Sequence, residues 1–161
     1  MSLVIDTLRT SPVTEELSQA EVEILAGLFE VQEFKAGDII VQPNDVQPDN
    51  LYILASGEVD VKIESGGDES TVHVLKPGDL AGMITFAGGA ATHISATLYA
   101  VGPTKVLSMA RARFETLINT HPMLVYRVMR GIIRNMHGIV RRVNIESAEL
   151  SNYIYKTGGR Y

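Results

Sequence analysis

The residues of this chain that are best suited to bind a ligand lie in one segment, between positions 82 and 96. At Gly82, Met83 and Ile84 the backbone N–H groups can open a short helix toward an anion, because the first turn of a helix has unpaired donors at the positive end of its dipole. Thr92 and Ser95 follow with hydroxyl donors. These are groups that can contact a small anion.

His93 lies in the same segment and can supply a cation whose charge depends on pH. The alternative, a solvent-exposed loop histidine, stays open. The chain has four histidines, and no two of them are spaced as His-x-His, which argues against the histidine and carboxylate cluster of a metal-dependent enzyme. The sequence also contains no P-loop and no recognisable pairing of a nucleophile with a base. It therefore predicts a protein that is not an enzyme.

The composition sets further limits. The length of 161 residues suits one domain, and the content of 45% hydrophobic and 20% charged residues is typical of a globular chain. Cysteine does not occur, which excludes disulfides, thiolate zinc sites and cysteine-held iron–sulfur clusters. The net charge of −5 disfavours direct binding to nucleic acid. No apolar run approaches the roughly 20 residues of a membrane span, and the N-terminus lacks a signal-peptide pattern; we expect a cytoplasmic protein without membrane contact.

The elements that must position the candidate site alternate between helical and β-rich patterns. Ser18 and Glu21 form a capping-box pattern, which predicts a helix that begins near Gln19. Short β-rich runs separated by turn residues follow, at residues 38–41, 51–55, 59–63, 71–75, 95–101 and 105–109. This spacing predicts a mainly β fold with flanking helices, an antiparallel β-roll or jelly roll.

A long C-terminal helix is predicted after Asn119, with Pro122 in its first turn. Its apolar residues are spaced by 4, 3, 4, 3 and 4 positions, as in a heptad seam: Val125, Met129, Ile132, Met136, Ile139 and Val143. Such a stripe can pack on the body of its own protein or on a second copy. Val128, Ile133 and Val140 add a second apolar flank, which favours use of both surfaces. We predict a homodimer with the seam at its interface. The spacing of Gly131 and Gly138 allows close approach to a neighbour, and the alternative that the two glycines are incidental stays open.

Three glycine-anchored motifs occur in order along the chain: residues 35–40 (KAGDII), 50–61 (NLYILASGEVDV) and 75–82 (LKPGDLAG). With these motifs the chain resembles the cyclic nucleotide-binding domain of the catabolite activator protein family, of kinase regulatory subunits and of gated channels. The resemblance implies one domain over residues 1–161, with a β-roll at about 30–110, a helical segment at about 111–150 and no DNA-binding domain.

The resemblance also implies which residues hold the ligand. In the family a Gly-Glu pair precedes the phosphate-binding helix, the glutamate accepts from the ribose 2′-hydroxyl, and an arginine further on binds the phosphate. Here the pair reads Gly82-Met83, and the arginine position falls on Ile94. Each charge-assisted hydrogen bond is worth about 1.5 to 3 kcal/mol. Losing both is expected to raise the dissociation constant of a nucleotide by roughly two to four decades. The candidate ligand-binding residues are Gly82, Met83, Ile84, Thr92, His93, Ile94, Ser95 and Ala96.

The candidate ligands are cyclic AMP, cyclic GMP or another small anionic molecule. In many family members the long helix covers the base, and the resemblance places that contact near Ile139 and Val140. Both are apolar, so a more hydrophobic ligand, or no ligand, fits as well as adenine. Haem is a further possibility in the family, and the imidazoles available to it are His73, His93, His121 and His137.

We therefore expect a regulatory module that senses a small ligand and signals through a dimeric helix to an unknown effector protein. The alternative is a degenerate domain that binds no small molecule and serves as a dimerising or docking scaffold. Five arginines lie on the long helix and form either a solvated face or a dock for an acidic partner: Arg127, Arg130, Arg134, Arg141 and Arg142.

Overall fold

Short helical elements precede the first strand. The computed structural model describes residues 2–42, 49–88 and 96–158, and its first elements are α1 (Ser2–Thr10), a 3-10 turn (Pro12–Thr14) and α2 (Gln19–Ala26). The predicted start of α2 is confirmed, because the Ser18 side chain accepts from the Glu21 N–H at 3.2 Å and the Glu21 carboxylate accepts from the Ser18 N–H at 3.0 Å. Helix α1 and the 3-10 turn were not predicted.

In the described part of the chain, eight strands form two four-stranded sheets in which every pair is antiparallel. They are β1 (Glu30–Phe34), β2 (Ile39–Val41), β3 (Asn50–Ser56), β4 (Val59–Ser65), β5 (Asp68–Leu75), β6 (Leu80–Ala81), β7 (Ala96–Ala100) and β8 (Thr104–Ala110). The strand orders are β1-β8-β3-β6 and β2-β7-β4-β5. The prediction of an antiparallel β-roll is confirmed.

Strand β1 has no counterpart among the predicted β-rich runs. Four of its five residues are exposed, so its sequence shows little of the apolar alternation that marks a half-buried strand. Its strand geometry comes from pairing with β8 along its whole length. Non-local pairing of this kind leaves no local signal in the sequence.

Two turns of the roll have the same structure. They span residues 35–38 and 76–79, and in each the lysine N–H donates to the aspartate Oδ2, at 2.7 and 2.8 Å. The glycine of each turn has a positive φ, 86° and 94°, which a side chain would disfavour. Its N–H donates to Ala100 O in the first turn and to Leu54 O in the second, at 2.7 Å in both cases.

The buried apolar side chains fall into two clusters. The roll cluster lies between the two sheets and contains Val41, Tyr52, Leu54, Val59, Leu75, Leu98 and Val106. The helix cluster joins the outer face of the β3 and β8 sheet to the helices and includes Leu8, Leu25, Ile53, Leu107, Phe86, Phe114, Leu124, Val128 and Ile132. Burial of apolar surface is the main stabilising term in each.

Three helices complete the fold: α3 (Met83–Gly88), α4 (Arg111–Glu115) and α5 (Pro122–Gly158). As predicted, Pro122 is the first residue of the long helix, where its missing N–H costs no hydrogen bond. Helix α5 has 37 residues, which corresponds to about 55 Å, and it continues to Gly158 instead of ending near residue 150.

Gly131 lies in close contact with the N-terminal segment. A Cβ atom at this position would lie 2.5 Å from Pro12 O and 3.0 Å from the Val13 Cα. A side chain therefore cannot fit without moving α5 or the 3-10 turn. Gly138 lies two turns further along, and a Cβ there would have no heavy atom within 4 Å.

We predict that Gly131→Ala lowers the free energy of unfolding by about 1 to 3 kcal/mol, because overpacking outweighs the gain in helix propensity. The matched control, Gly138→Ala, should raise it by up to about 1 kcal/mol, since only the propensity changes. Urea denaturation at one fixed protein concentration measures both. Equal stabilisation by the two alanines would contradict the close approach.

Candidate ligand-binding site and signalling helix

The candidate ligand-binding segment begins where β6 gives way to α3. Gly82 has φ of 78°, and a Cβ atom there would lie 2.5 Å from Asn50 O on β3. Its carbonyl accepts from the Phe86 N–H at 2.9 Å and from Thr85 Oγ1 at 3.1 Å. A residue without a side chain is thus required at this junction, and the short helix follows it directly.

The structure describes only part of the predicted site. Gly82 and Met83 lie at the start of α3, the backbone of Ile84 continues that helix, and Ala96 begins β7. The remaining four candidates, Thr92, His93, Ile94 and Ser95, lie outside the described residues. Their roles stay predictions.

Helix α3 is anchored by apolar contacts. Met83 is partly buried and packs against the helix cluster. Phe86 is 1% exposed, and its ring centroid lies 5.4 Å from that of Phe114, with the planes tilted by 45°. The orientation of the α3 backbone therefore depends on how these side chains pack.

The interior of the roll contains a small cavity. It is lined mainly by apolar side chains, with one aspartate: Ile40, Tyr52, Leu54, Val59, Leu75, Asp79, Ala81, Leu98 and Val106. The cavity volume is about 10 Å³, which is enough for roughly one water molecule. A nucleotide does not fit there, so a ligand of that size has to bind beside α3 or displace lining side chains.

The body side of α5 uses part of the predicted dimer seam. Leu124, Val128 and Ile132 are buried in the helix cluster. Ile132 is only 1% exposed within the single chain, so it has no surface left for a second copy. Its assignment to a dimer interface is replaced by a role in the core of the chain.

The other predicted seam residues differ in their surroundings. Val125, Met129 and Met136 are partly buried against the same cluster, while Ile139 is exposed. Val143 lies in the described helix, but its side chain is outside the described part.

A neighbouring apolar flank of α5 faces solvent. Ile133 is 62% exposed and Val140 is 53% exposed. Together with Met129 and Met136 they are spaced by 4, 3 and 4 residues, which is again a heptad pattern. We call Met129, Ile133, Met136 and Val140 the outer seam. The apolar surface available to a partner thus contains Ile133 and Val140 in place of the predicted Ile132 and Ile139.

Three of the five arginines on α5 face carboxylates of the N-terminal segment. The pairs are Arg127 with Glu21 at 3.2 Å, Arg130 with Glu16 at 3.4 Å, and Arg134 with Glu15 at 3.3 Å and with Glu16 at 3.1 Å. We call these six residues the clasp. The sequence suggested a solvated face or a dock for an acidic partner, whereas these three arginines bind acidic groups of their own chain.

Glu21 belongs both to the capping box of α2 and to the clasp. The hydrogen bond from the Ser18 backbone N–H lowers the pKa of the Glu21 carboxyl below its usual value, and the charge of Arg127 acts in the same direction. Because the folded pKa is depressed, this stabilisation is present above the ordinary glutamate pKa of about 4.3 and is lost as the pH falls through the lower folded value.

The remaining titratable groups form no further site in the described part of the chain. His73, His121 and His137 are exposed and lie on β5, before α5 and on α5. Among the described residues there is no group of three histidine or acidic side chains that could hold a metal ion. None of the described helices is long and apolar enough to span a membrane.

Comparisons with known proteins agree with the fold. A family model described as cyclic nucleotide-binding domain matches residues 31–121. The cAMP-dependent protein kinase regulatory subunit of Dictyostelium discoideum is 31% identical over 121 residues, which cover 73% of this chain and 36% of that protein. The chain therefore spans about a third of the length of that relative.

Solved structures include the catabolite activator protein of Thermus thermophilus, which has a TM-score of 0.73 and 27% identity over 88% of this chain and 63% of that one. Another is a triple mutant of the regulatory subunit of a cAMP-independent protein kinase A from Trypanosoma brucei, bound to cAMP. Its TM-score is 0.66, with 25% identity over 86% of this chain and 50% of that one. The chain belongs to the cyclic nucleotide-binding domain family.

Proposed function

We propose that this chain is a non-enzymatic regulatory module that binds a small anionic ligand at residues 82–96 and transmits its binding to a second copy through α5. The observation that carries the proposal is the shared helix cluster. Met83 and Phe86 of α3 pack in the same cluster as Val128 and Ile132 of α5. The ligand-binding segment and the output helix therefore cannot repack independently.

The coupling follows from how protein cores respond to strain. Cores are close-packed, so a shift of α3 is accommodated by a discrete rearrangement of its neighbours and not by gradual compression. A ligand that draws α3 toward an anion moves Phe86 against Phe114, and the cluster passes the change to α5. The ligand shifts the equilibrium only by as much as it prefers one arrangement over the other.

The chemistry of the segment limits the ligand. The N–H groups at the start of α3, with the hydroxyls of Thr92 and Ser95, suit an anionic group. Met83 and Ile94 supply neither a ribose acceptor nor a phosphate cation, so cyclic AMP and cyclic GMP are expected to bind weakly. The Trypanosoma brucei subunit offers a parallel: its form bound to cAMP carries three substitutions, one of which replaces threonine by arginine.

We predict that Met83→Glu combined with Ile94→Arg tightens cyclic AMP binding by up to about two to four decades, because it restores two charge-assisted hydrogen bonds. Calorimetric titration of parent and variant measures the change. The pair Met83→Gln with Ile94→Gln is the control, since it adds polarity without charge. Ile94→Arg alone leaves the packing of Met83 intact and should give part of the gain. No gain in any folded variant would contradict this placement of the site.

The second copy is expected to bind the outer seam. Beyond Ile132 the helix continues for 26 residues, and an isolated helix with few contacts to the body is only marginally stable in water. In the sequence the heptad positions continue from Val140 to Val143, Ser147, Leu150 and Ile154. The position of Ile133 and Val140 is mostly β-branched and the position of Met129 and Met136 is mostly Met or Leu, a pattern that favours a parallel pair of helices.

We predict that the parent has a solution mass of about 35 kDa, twice its 17.6 kDa chain mass, and that Ile133→Glu with Val140→Glu lowers it to that of one chain. The dimer would have to bury two carboxylates in an apolar seam, and burying an unpaired charge costs free energy. Arg142→Glu is the control, because it makes the same change in net charge at another exposed position of α5. Light scattering after size exclusion measures the mass. A double variant that remains dimeric would place the interface elsewhere.

A scaffold that binds no small molecule is the second candidate. The observations that favour it are the one-water cavity in the roll and the apolar packing of Met83. The same titrations separate the two candidates. A dimeric parent that gives no heat with cyclic nucleotides and no thermal shift with other anionic metabolites supports the scaffold, since a ligand at about 100 times its dissociation constant adds roughly 2.7 kcal/mol of stability.

A further inference from the structure

The clasp joins α5 to the N-terminal segment at the place where the helix leaves the body. Its arginines lie on either side of Gly131, the residue in close contact with Pro12. Among the side chains of α5 that the structure describes, Ile132 is the last one fully buried in the helix cluster, and Met136 packs against the same cluster one turn further on. The charges thus hold the final turns of α5 that still contact the protein, and they lie outside the ligand-binding segment.

The geometry distinguishes the clasp from scattered surface pairs. Glu16 is shared by Arg130 and Arg134, and Arg134 also reaches Glu15. Arg127 lies 3.2 Å from both oxygens of Glu21, which also accepts from the Ser18 N–H in the capping box of α2. Isolated exposed ion pairs contribute little to stability, but a network in which partners are shared and already oriented is the recognised exception.

The clasp is also open to solvent ions. Its arginine side chains are 37 to 48% exposed. Interactions between exposed charges are screened over a Debye length of about 10 Å at 0.1 M salt and about 3 Å at 1 M. The attraction across the clasp therefore weakens over an accessible range of ionic strength, whereas the apolar contacts at Ile132 do not weaken in the same way.

We propose that the clasp is a salt-sensitive latch that sets the balance between a docked and a released position of α5. With the latch closed, α5 and the N-terminal helices move as one body. With the latch open, the turns around Gly131 separate from the 3-10 turn and the orientation of the outer seam changes. The effect of this change on signalling rests on the proposed function, but the latch itself requires neither a ligand nor a second copy.

The distance between α2 and α5 tests the latch directly. The chain contains no cysteine, so Glu23→Cys and Asn144→Cys, both at exposed positions, place one spin label on each helix of the full chain. Pulsed electron–electron double resonance then gives the distribution of distances between the two labels. Mixing labelled protein with an excess of unlabelled protein removes distances between copies.

Charge reversal with rescue is the decisive comparison. Arg130→Glu with Arg134→Glu should shift or broaden the distribution toward longer distances, and 1 M salt should shift the parent the same way. Adding Glu15→Arg and Glu16→Arg to the reversed protein should restore the parental distribution, because attraction returns with the signs exchanged. Arg141→Glu with Arg142→Glu makes the same change in net charge outside the clasp and should leave the distribution unchanged.

Two results would overturn the proposal: a reversed protein with the parental distribution, or a rescue variant that remains shifted while still folded by circular dichroism. The measurement uses protein without ligand and reports a distance within one chain. A failure to bind ligand or to dimerise therefore leaves its outcome unaffected, and a failure of the latch leaves the proposed function untouched.

Discussion

The packing of Phe86 against Phe114 within the helix cluster is the contact on which the rest of this structure depends. It ties a six-residue helix, too short to be stable alone, to a core that also contains the base of α5. One apolar cluster therefore holds the ligand-binding segment and the output helix. The proposed signalling needs no further pathway, because both elements are parts of one packed unit.

The roll supplies the fixed frame for this unit. Its own cluster lies between the two sheets and shares no buried residue with the helix cluster. The repeated lysine-to-aspartate turns tie each glycine N–H to a neighbouring backbone carbonyl and so fix two corners of the roll. The two clusters lie on opposite faces of β3 and β8, so the helices pack on the outside of the roll.

Much of this arrangement could be predicted from the sequence where the signal is local. The capping box at Ser18, Pro122 at the start of the long helix and the glycine turns each depend on a few neighbouring residues. The choice between Ile132 and Ile133 as the buried residue could not be predicted in this way. It depends on the contact of Gly131 with Pro12, more than a hundred positions away, and one step along a helix rotates a side chain by about 100°. Strand β1 could not be predicted for the same reason, because its partner β8 is distant in sequence.

The most direct test of the account is whether weakening α3 is felt in α5. Hydrogen exchange of the α5 amides at residues 124–132 should be compared in Phe86→Leu, which alters the helix cluster, and Val59→Ala, which alters the roll cluster. The account predicts that Phe86→Leu accelerates exchange in this stretch by about tenfold more than Val59→Ala when both are corrected for global stability, a difference of about 1.4 kcal/mol in local opening. Equal rates in the two variants, with faster exchange confined to α3 in Phe86→Leu, would contradict it.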